Sequence, residues 1–553
     1  MDTKIDKRIS NMIKVFLVIA VLINIKSIFT DFDRDCAYAV VNPYRFILGD
    51  RLFIEMREPH QTSAVFLALF EWLFVRLSGG TEGIVIYLQI ISVCIYGAVS
   101  YAFCRFLKKY TSNNIAKLAA ITFFVLRAKQ EVILAFSNAQ MLASVMLLIF
   151  LVLYFDEHRL RDLVFAAISL CAEIIAYPTT MITFVAVIGL IAIYSKQKYR
   201  DMLLFGTTCL FCGIAFLFFV SRECGLKQLL SNCMFIITSD DAHSGKYFGW
   251  PYWKHFVFGM ILLTVCLILA HLLGIVFNKS RRFIFAGVFS VSLVILILCD
   301  GFLREDEYNF WLFTAGILII YLAIYSIISL KYCCDKTKRL YWTAFFISTS
   351  SFIAVFLLTN LNLLSIFNYM LVVGCVSFVP IAEKLSGTDS EWKTIVFLSL
   401  ICLSFCFPRL LLMRDYGGAK DTVFEVQNIV RSGPAKGIIC SYMGYYTTAC
   451  NIEDFDAYVN DGDRLLIVTT ASQDPIPYLY EDVVISHYST ISTPTFSNKL
   501  IEYWNEYPER YPNVIAVECW YGDLHVDEDS YIMQFINDNY EKVGEGRYYV
   551  FYR

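Results

Sequence analysis

A series of about fourteen apolar stretches, joined by short polar loops, decides what this chain can fold into. They run over 12–30, 62–77, 84–104, 115–126, 132–155, 163–177, 179–194, 202–220, 256–277, 283–299, 310–330, 341–359, 363–382 and 394–412. A helix spans the hydrocarbon of a bilayer with about 20 residues, so 115–126 and 163–177 must borrow flanking polar residues to cross. Only 17% of the 553 residues are charged and 58% are hydrophobic. Soluble domains carry about 25% charged residues. No soluble core holds such an apolar surplus, and the bilayer is its natural solvent. Segment 12–30 is flanked by Lys4, Lys7, Arg8 and Lys14 and shows no cleavage pattern. It reads as a retained first helix with a cytoplasmic N-terminus.

Lysine and arginine set the orientation. If every segment crossed in turn, the clusters at 105–109 and 196–200 would lie outside. If one early segment, most simply 62–77, enters without crossing, the basic clusters at 105–117, 159–161, 196–200, 279–282, 331–339 and 384–393 all fall inside. The outside loops become 31–61, 127–131, 221–255 and 300–309, which hold most of the acids. The expected fold is a polytopic α-helical membrane protein with about 13 crossings, its N-terminus in and its C-terminus out. Most of the 18 cysteines lie in apolar segments, where cysteine acts as a small hydrophobe. By this orientation Cys36 and Cys519 fall outside and Cys333 inside.

After residue 413 the texture changes. Residues 414–553 carry 22 Asp and Glu against 10 Lys and Arg, whereas the whole chain has a net charge of only −3. The division is 1–413 in the membrane and 414–553 as a soluble, extracytoplasmic α/β domain. Strand-like runs cover 437–442, 464–470, 483–489, 513–520 and 547–553. Helix-like runs cover 420–430, 498–507 and 528–539, the last with Asp527 as its expected N-cap.

The first outside loop concentrates acids: Asp31, Asp33, Asp35, Asp50, Glu55 and Glu58, with His60 behind Pro59. A carboxylate held just past a helix at the membrane surface can take a proton from a hydroxyl. Asp33 and Asp35 meet that condition, because the first helix ends near Thr30. A solvated loop whose acids only orient the protein accounts for the same pattern equally well.

A cytoplasmic N-terminus, one helix, a long acidic outer loop, a Pro-His element and a many-helix bundle follow one another here. That layout resembles the C-type (GT-C) superfamily of membrane glycosyltransferases, the class of protein O-mannosyltransferases and aminoarabinose transferases. The resemblance covers about 410 residues in layout and about 30 in motif. It rests on "DCAY" at 35–38 and "EPHQ" at 58–61. Cys36 stands where the superfamily often has Glu, and the Pro-His order is changed, so the base stays open between Asp35 and Asp33. The resemblance implies a GT-C-like bundle that moves a sugar from a polyprenyl-phosphate lipid to an acceptor on the outer face. The acceptor hydroxyl would lose its proton to the aspartate as it attacks the anomeric carbon, inverting it. Phosphate leaves without protonation, so one carboxylate suffices where glycosidases use two.

The departing phosphate calls for an outer cation, and Arg127, Lys129 and Arg304 are the candidates. Each also fits plain interfacial snorkelling. Glu58, His60 and Gln61 are further substrate-binding candidates within the first loop. Glu173 is an acid inside an apolar segment, a position that marks either a site or a hydrogen-bonded helix contact. Asn138 and Gln140 suit sugar hydroxyls or helix bridging. Asp240, Asp241 and His243, in "SDDAHSGKY", are the candidate ligands of a divalent metal, though a solvated loop explains them more simply. No other cofactor is expected. The expected partners are a polyprenyl-phosphate-linked sugar, a cell-surface glycan or polymer acceptor and the bilayer of the plasma membrane, and not nucleic acid. The alternatives are a transporter or flippase of a lipid-linked glycan, which the lack of a repeat disfavours, and an oligosaccharide polymerase or ligase.

Overall fold

The computed structural model describes residues 3–30, 34–56, 61–127, 132–221, 310–359, 366–386, 391–411, 428–441, 453–469, 476–479, 483–486, 497–520 and 522–553, with isolated positions between them. The expected segments 256–277 and 283–299 lie outside the described residues. The helices of the first part are α1 (Thr3–Thr30), α2 (Arg34–Ile47), α3 (Ala64–Ser78), α4 (Ile84–Leu107), α5 (Asn113–Val125), α6 (Phe136–Glu157), α7 (Leu160–Ala176), α8 (Thr183–Tyr194), α9 (Lys198–Ser221), α10 (Phe310–Ser329), α11 (Asp335–Leu358), α12 (Leu371–Val376), α13 (Phe378–Ser386) and α14 (Glu391–Leu411). Among the described residues six helices are long and apolar enough to cross a membrane: Lys7–Thr30, Ile84–Leu107, Phe136–Glu157, Lys198–Val220, Asp335–Leu358 and Thr394–Leu411. Three shorter apolar helices, Asn113–Val125, Pro178–Tyr194 and Leu318–Tyr332, stand beside them. The expected segment 363–382 is not one rod: a 3-10 turn, Phe367–Met370, leads into α12 and then α13.

Two departures concern the stretches read as outer loops. The first loop is not all loop, for it contains α2, whose residues Cys36–Arg45 are buried. Its mixed composition and internal Pro43 hid it from a search for apolar runs. Of the stretch 127–131, read as an outer loop, the described residue is Arg127, which is buried, as is Val132 after it. The reason is length. At 1.5 Å per residue α5 rises about 20 Å and its neighbour α4 about 36 Å, so α5 stops well short of the N-terminal end of α4. Leu134 N donates to Ser92 Oγ at 2.9 Å, about a third of the way along α4, which is the level that α5 reaches.

Helix α3 begins in an apolar cluster that joins Ala64 to Leu52, Ile54 and Met56, with Val65 and Tyr507 packed against it. At its far end Thr81 Oγ1 donates to Leu479 O, and Gly83 N donates to Gly433 O at 3.0 Å. Both ends of α3 thus meet the same C-terminal region.

That region is built on a mixed sheet. Strands β3 (Arg464–Val468), β4 (Val484–Ile485), β5 (Val514–Trp520), β7 (Lys542–Glu545) and β8 (Tyr549–Tyr552) lie in the order β4-β3-β5-β8-β7. A short β6 (Asp523–Leu524) folds back on β5, and β1 (Asn428–Ile429) pairs with β2 (Ile439–Cys440) apart from the sheet. Strands β3, β4 and β5 are parallel neighbours, and β8 runs antiparallel to β5. Alternation divides the side chains cleanly. Leu466, Val468, Ile515, Val517, Val550 and Tyr552 pack under α15 (Ser497–Glu506) and α16 (Tyr531–Asn539). Leu465, Ile467, Val514, Ala516, Tyr549 and Phe551 join the cluster that is continuous with the helical bundle. The helix expected at 420–430 is not formed where it is described: Asn428 and Ile429 pair as a strand. The N-cap of α16 is Ser530, whose side chain accepts from Met533 N at 3.4 Å, rather than Asp527, which accepts from Asp529 N.

Candidate functional site

The C-terminal half of α1 carries an unusual amount of polarity for a helix in apolar surroundings. Asn24 and Ser27 lie three residues apart and so share a face. Asn24 Nδ2 donates to Phe124 O at 3.3 Å, tying α1 to the end of α5. Asn24 Oδ1 accepts from Arg127 Nη2. Ser27 Oγ accepts from Arg409 Nη2 at 3.3 Å, and Lys26 Nζ donates to Arg409 O at 3.2 Å. Arg127 and Arg409 are the two largest fully buried side chains described, and the Arg127 guanidinium stands 4.9 Å over the ring of Tyr96. Two guanidiniums and one ammonium therefore gather around a turn of α1 that ends four residues later at Thr30.

Arg127 was expected from the sequence. Lys26, Arg409, Asn24 and Ser27 were not. The signal was present: Lys26 and Arg409 are cations inside apolar segments, and such positions call for a partner or a role. The acidic stretch follows at once. Phe32 is buried and α2 begins at Arg34, which puts Asp35 in its first turn. A carboxylate there is favoured by the unsatisfied N–H groups of the helix start. Asp33, Glu58, His60, Lys129, Arg304, Asp240, Asp241 and His243 lie outside the described residues, as does the side chain of Asp35.

The remaining candidates are placed elsewhere. Gln61 is buried, and its Oε1 accepts from Phe53 N at 2.5 Å, so it braces the loop between α2 and α3. Glu173 is fully buried where α7 meets α6 and α11. Its Oε1 accepts from Gln140 Nε2 at 2.9 Å and from Ser351 Oγ at 2.8 Å. Gln140 also donates to Ser144 Oγ at 2.8 Å, and Asn138 Nδ2 donates to Ile133 O at 3.2 Å. This is a clamp between α6, α7 and α11. Among the described residues no three His, Cys, Asp or Glu side chains converge as a metal site.

Asp50 and Glu55, read as loop acids, are buried in ion pairs. Asp50 Oδ2 accepts from Arg45 Nε at 2.8 Å and Oδ1 from Arg510 Nη2 at 2.7 Å. Burial alone would raise the Asp50 carboxyl's pKa, but the charges and hydrogen bonds of Arg45 and Arg510 outweigh it and hold it below its ordinary value of 3.8. Glu55 takes the side chain of Arg51, and its carboxylate also accepts from Arg51 N at 2.7 Å.

No known protein family matches the chain, and no curated protein matches it either. Among solved structures it is similar to the oligosaccharyltransferase of Archaeoglobus fulgidus in complex with zinc and sulfate. The identity is 12% and the TM-score 0.45, over 91% of this chain and 68% of that one. A second structure of that oligosaccharyltransferase, tethered by a disulfide bond to an acceptor peptide containing the NVT sequon, is similar at 11% identity and a TM-score of 0.44. It covers 92% of this chain and 69% of the other. Likeness this remote assigns neither an activity nor a residue's role.

Proposed function

We propose that the chain is an integral membrane glycosyltransferase of the GT-C kind, which moves a sugar from a polyprenyl-phosphate donor to a glycan or polymer acceptor on the outer face of the plasma membrane. The observation that carries this is the cationic turn of α1. Arg127, Arg409 and Lys26 collect at the outer part of the bundle, directly before the first-loop aspartates. Guanidinium suits phosphate, whose oxygens it meets in a fork. The shortness of α5 supports a recess at that depth, which a lipid headgroup needs in order to reach both lipid and water.

Asp35, with Asp33 as the other candidate, takes the proton from the acceptor hydroxyl. The hydroxyl oxygen forms its bond to the anomeric carbon as the bond from that carbon to the phosphate oxygen breaks. The electron pair leaves with the lipid phosphate, and the anomeric centre inverts. Arg127 and Arg409 stabilise the charge that grows on the departing group, the interaction that accelerates the step. The same reading puts the C-terminal α/β region and both ends of α3 outside, with α3 as the segment that does not cross.

The test is consumption of a panel of polyprenyl-phosphate sugars by protein purified into lipid nanodiscs. Wild type turns over at least one member. Asp35→Asn abolishes turnover with expression intact, and Arg127→Lys and Arg409→Lys slow it. Full activity in Asp35→Asn removes that residue from the site, and a panel left untouched by wild type sinks the assignment.

A further inference from the structure

The C-terminal region reaches into the first loop through Asp50. Each of its carboxylate oxygens is held by a different guanidinium: Oδ2 by Arg45, in the last turn of α2, and Oδ1 by Arg510, 460 residues away. Each arginine uses a second arm on the segment that carries β4. Arg45 Nη1 donates to Val483 O at 2.7 Å and Arg510 Nη1 donates to Ile485 O at 3.2 Å. Arg510 Nη2 also stands 4.0 Å from Glu55 Oε1. Arg45 and Asp50 are buried, and the side chain of Arg510 is only 13% exposed. This is a closed two-sided grip on the C-terminal end of α2, in a place that water screens poorly.

The other end of α2 carries Asp35. Ten residues of helix separate Asp35 from Arg45, about 15 Å. A tilt of about 4° at Arg45 moves Asp35 by about 1 Å, and a misplacement of about 1 Å can slow a reaction about 100-fold. We infer that Arg510, acting through Asp50 and Arg45, is a positioning residue: it fixes the axis of α2 and so the place of Asp35 against the cationic turn of α1. This rests on the reading of Asp35 as the base. On this view the α/β region braces the catalytic loop rather than merely accompanying it.

The experiment uses the full chain in nanodiscs as wild type, Arg510→Met, Arg510→Lys and Asp50→Asn. Amide hydrogen exchange is followed in Cys36–Ile47 and, as an internal control, in β5. Arg510→Met and Asp50→Asn speed exchange in α2 at least about tenfold and leave β5 unchanged, and Arg510→Lys falls between, because it keeps the charge and loses the fork. In the donor-consumption assay kcat falls about 10- to 100-fold while KM for the lipid donor stays within about twofold, since the donor's phosphate site is untouched. Unchanged exchange in α2 overturns the inference whatever the activity. A loosened α2 with undiminished kcat overturns the positioning role. A wild type that consumes no donor overturns the glycosyltransferase reading, and the exchange arm then decides alone whether Arg510 holds α2. Should Arg510→Met fail to accumulate, Arg510→Lys carries the same test.

Discussion

Glu173 separates a structural acid from a chemical one, and the two accounts differ in what an amide does in its place. Its Oε1 accepts two hydrogen bonds, from Gln140 on α6 and Ser351 on α11. Glu173→Ala removes the shared acceptor of both. An interhelical hydrogen bond within a membrane bundle contributes about 0.6 to 2 kcal/mol, so the pair accounts for roughly 1 to 4 kcal/mol. The vacated volume adds about 1 to 2 kcal/mol, because close-packed neighbours relax only in part. The expected loss is about 2 to 6 kcal/mol. Glu173→Gln preserves volume and keeps a carbonyl oxygen to accept from Gln140 and Ser351, so its loss is at most about 1 kcal/mol. The assay is reversible unfolding in mixed micelles, with donor consumption measured beside it. Alanine lowers the unfolding constant's margin by about 30-fold or more and glutamine by less than about tenfold, while the folded glutamine variant retains most of its turnover. The clamp account is refuted if Glu173→Gln unfolds like wild type yet loses turnover as fully as alanine. A carboxylate would then be required, and Glu173 would belong to the chemistry.

Acid should weaken the grip on α2. Asp50 faces Arg45 and Arg510, with Arg51 and Glu55 beside them. Its carboxyl titrates below its ordinary value of 3.8, so its contribution is present above the unfolded value and is lost only as pH falls through the lower, folded one. Protection of α2, the exchange rate taken relative to the intrinsic base-catalysed rate at each pH, is flat from pH 8 to 5 on that account, falls in stronger acid, and shows no such acid limb in Asp50→Asn. Gly437→Ala strains a residue at φ +90° and puts a Cβ 2.6 Å from Ile86 Cδ1; docking of the 433–437 turn on α4 weakens by about 1 to 2 kcal/mol, read as faster exchange at Gly83 and Val85. A thiol reagent that cannot cross membranes leaves Cys36 and Cys519 unmodified in folded protein, since both are buried, so they report sidedness only after unfolding. Cys334 is exposed and labels only when cells are permeabilised, if the basic loop around it is cytoplasmic.

Long apolar runs were legible because a bilayer asks for little beyond length and composition. The α/β texture after residue 413 was legible because strand alternation is a local property, as β3, β5 and β8 illustrate. What failed was whatever depended on distant partners. Asp50 looked like a solvated loop acid because its second partner, Arg510, stands 460 residues on. Helix α2 was missed because it is buried by its tertiary setting and is neither apolar throughout nor free of proline. Residues 420–430 looked helical by periodicity, yet Asn428 and Ile429 are taken by pairing with Cys440 and Ile439. Arg409 was passed over because it ends an apolar segment, where snorkelling is the ordinary explanation, and its burial against Ser27 cannot be read locally.

The start of α4 shows why these helix ends and the C-terminal region act as one body. A helix leaves its first N–H groups without partners inside itself, and Gly83, its N-cap, has no side chain to serve them. Backbone carbonyls do so instead: Gly433 O accepts from Gly83 N at 3.0 Å, and Pro434 O accepts from Val85 N at 3.2 Å. The carbonyls belong to a turn of the C-terminal region, which thereby completes a helix begun some 350 residues earlier, while Lys436 reaches Glu82 at 2.8 Å across the same contact. Uncoupling the region would bare those donors, the Asp50 pair and the apolar cluster around Leu52 and Tyr507 together. The three contacts lie at the ends of α2, α3 and α4, so no one of these helices can shift that end alone. A loosely tethered acidic tail would leave α2 unsupported, whereas this arrangement makes the position of Asp35 depend on residues past 430. Deleting residues 414–553 should therefore increase amide exchange in α2 and at the start of α4 while sparing α6 and α7, which pack on each other. Unaltered exchange at all four would show that the bundle holds these helix ends unaided.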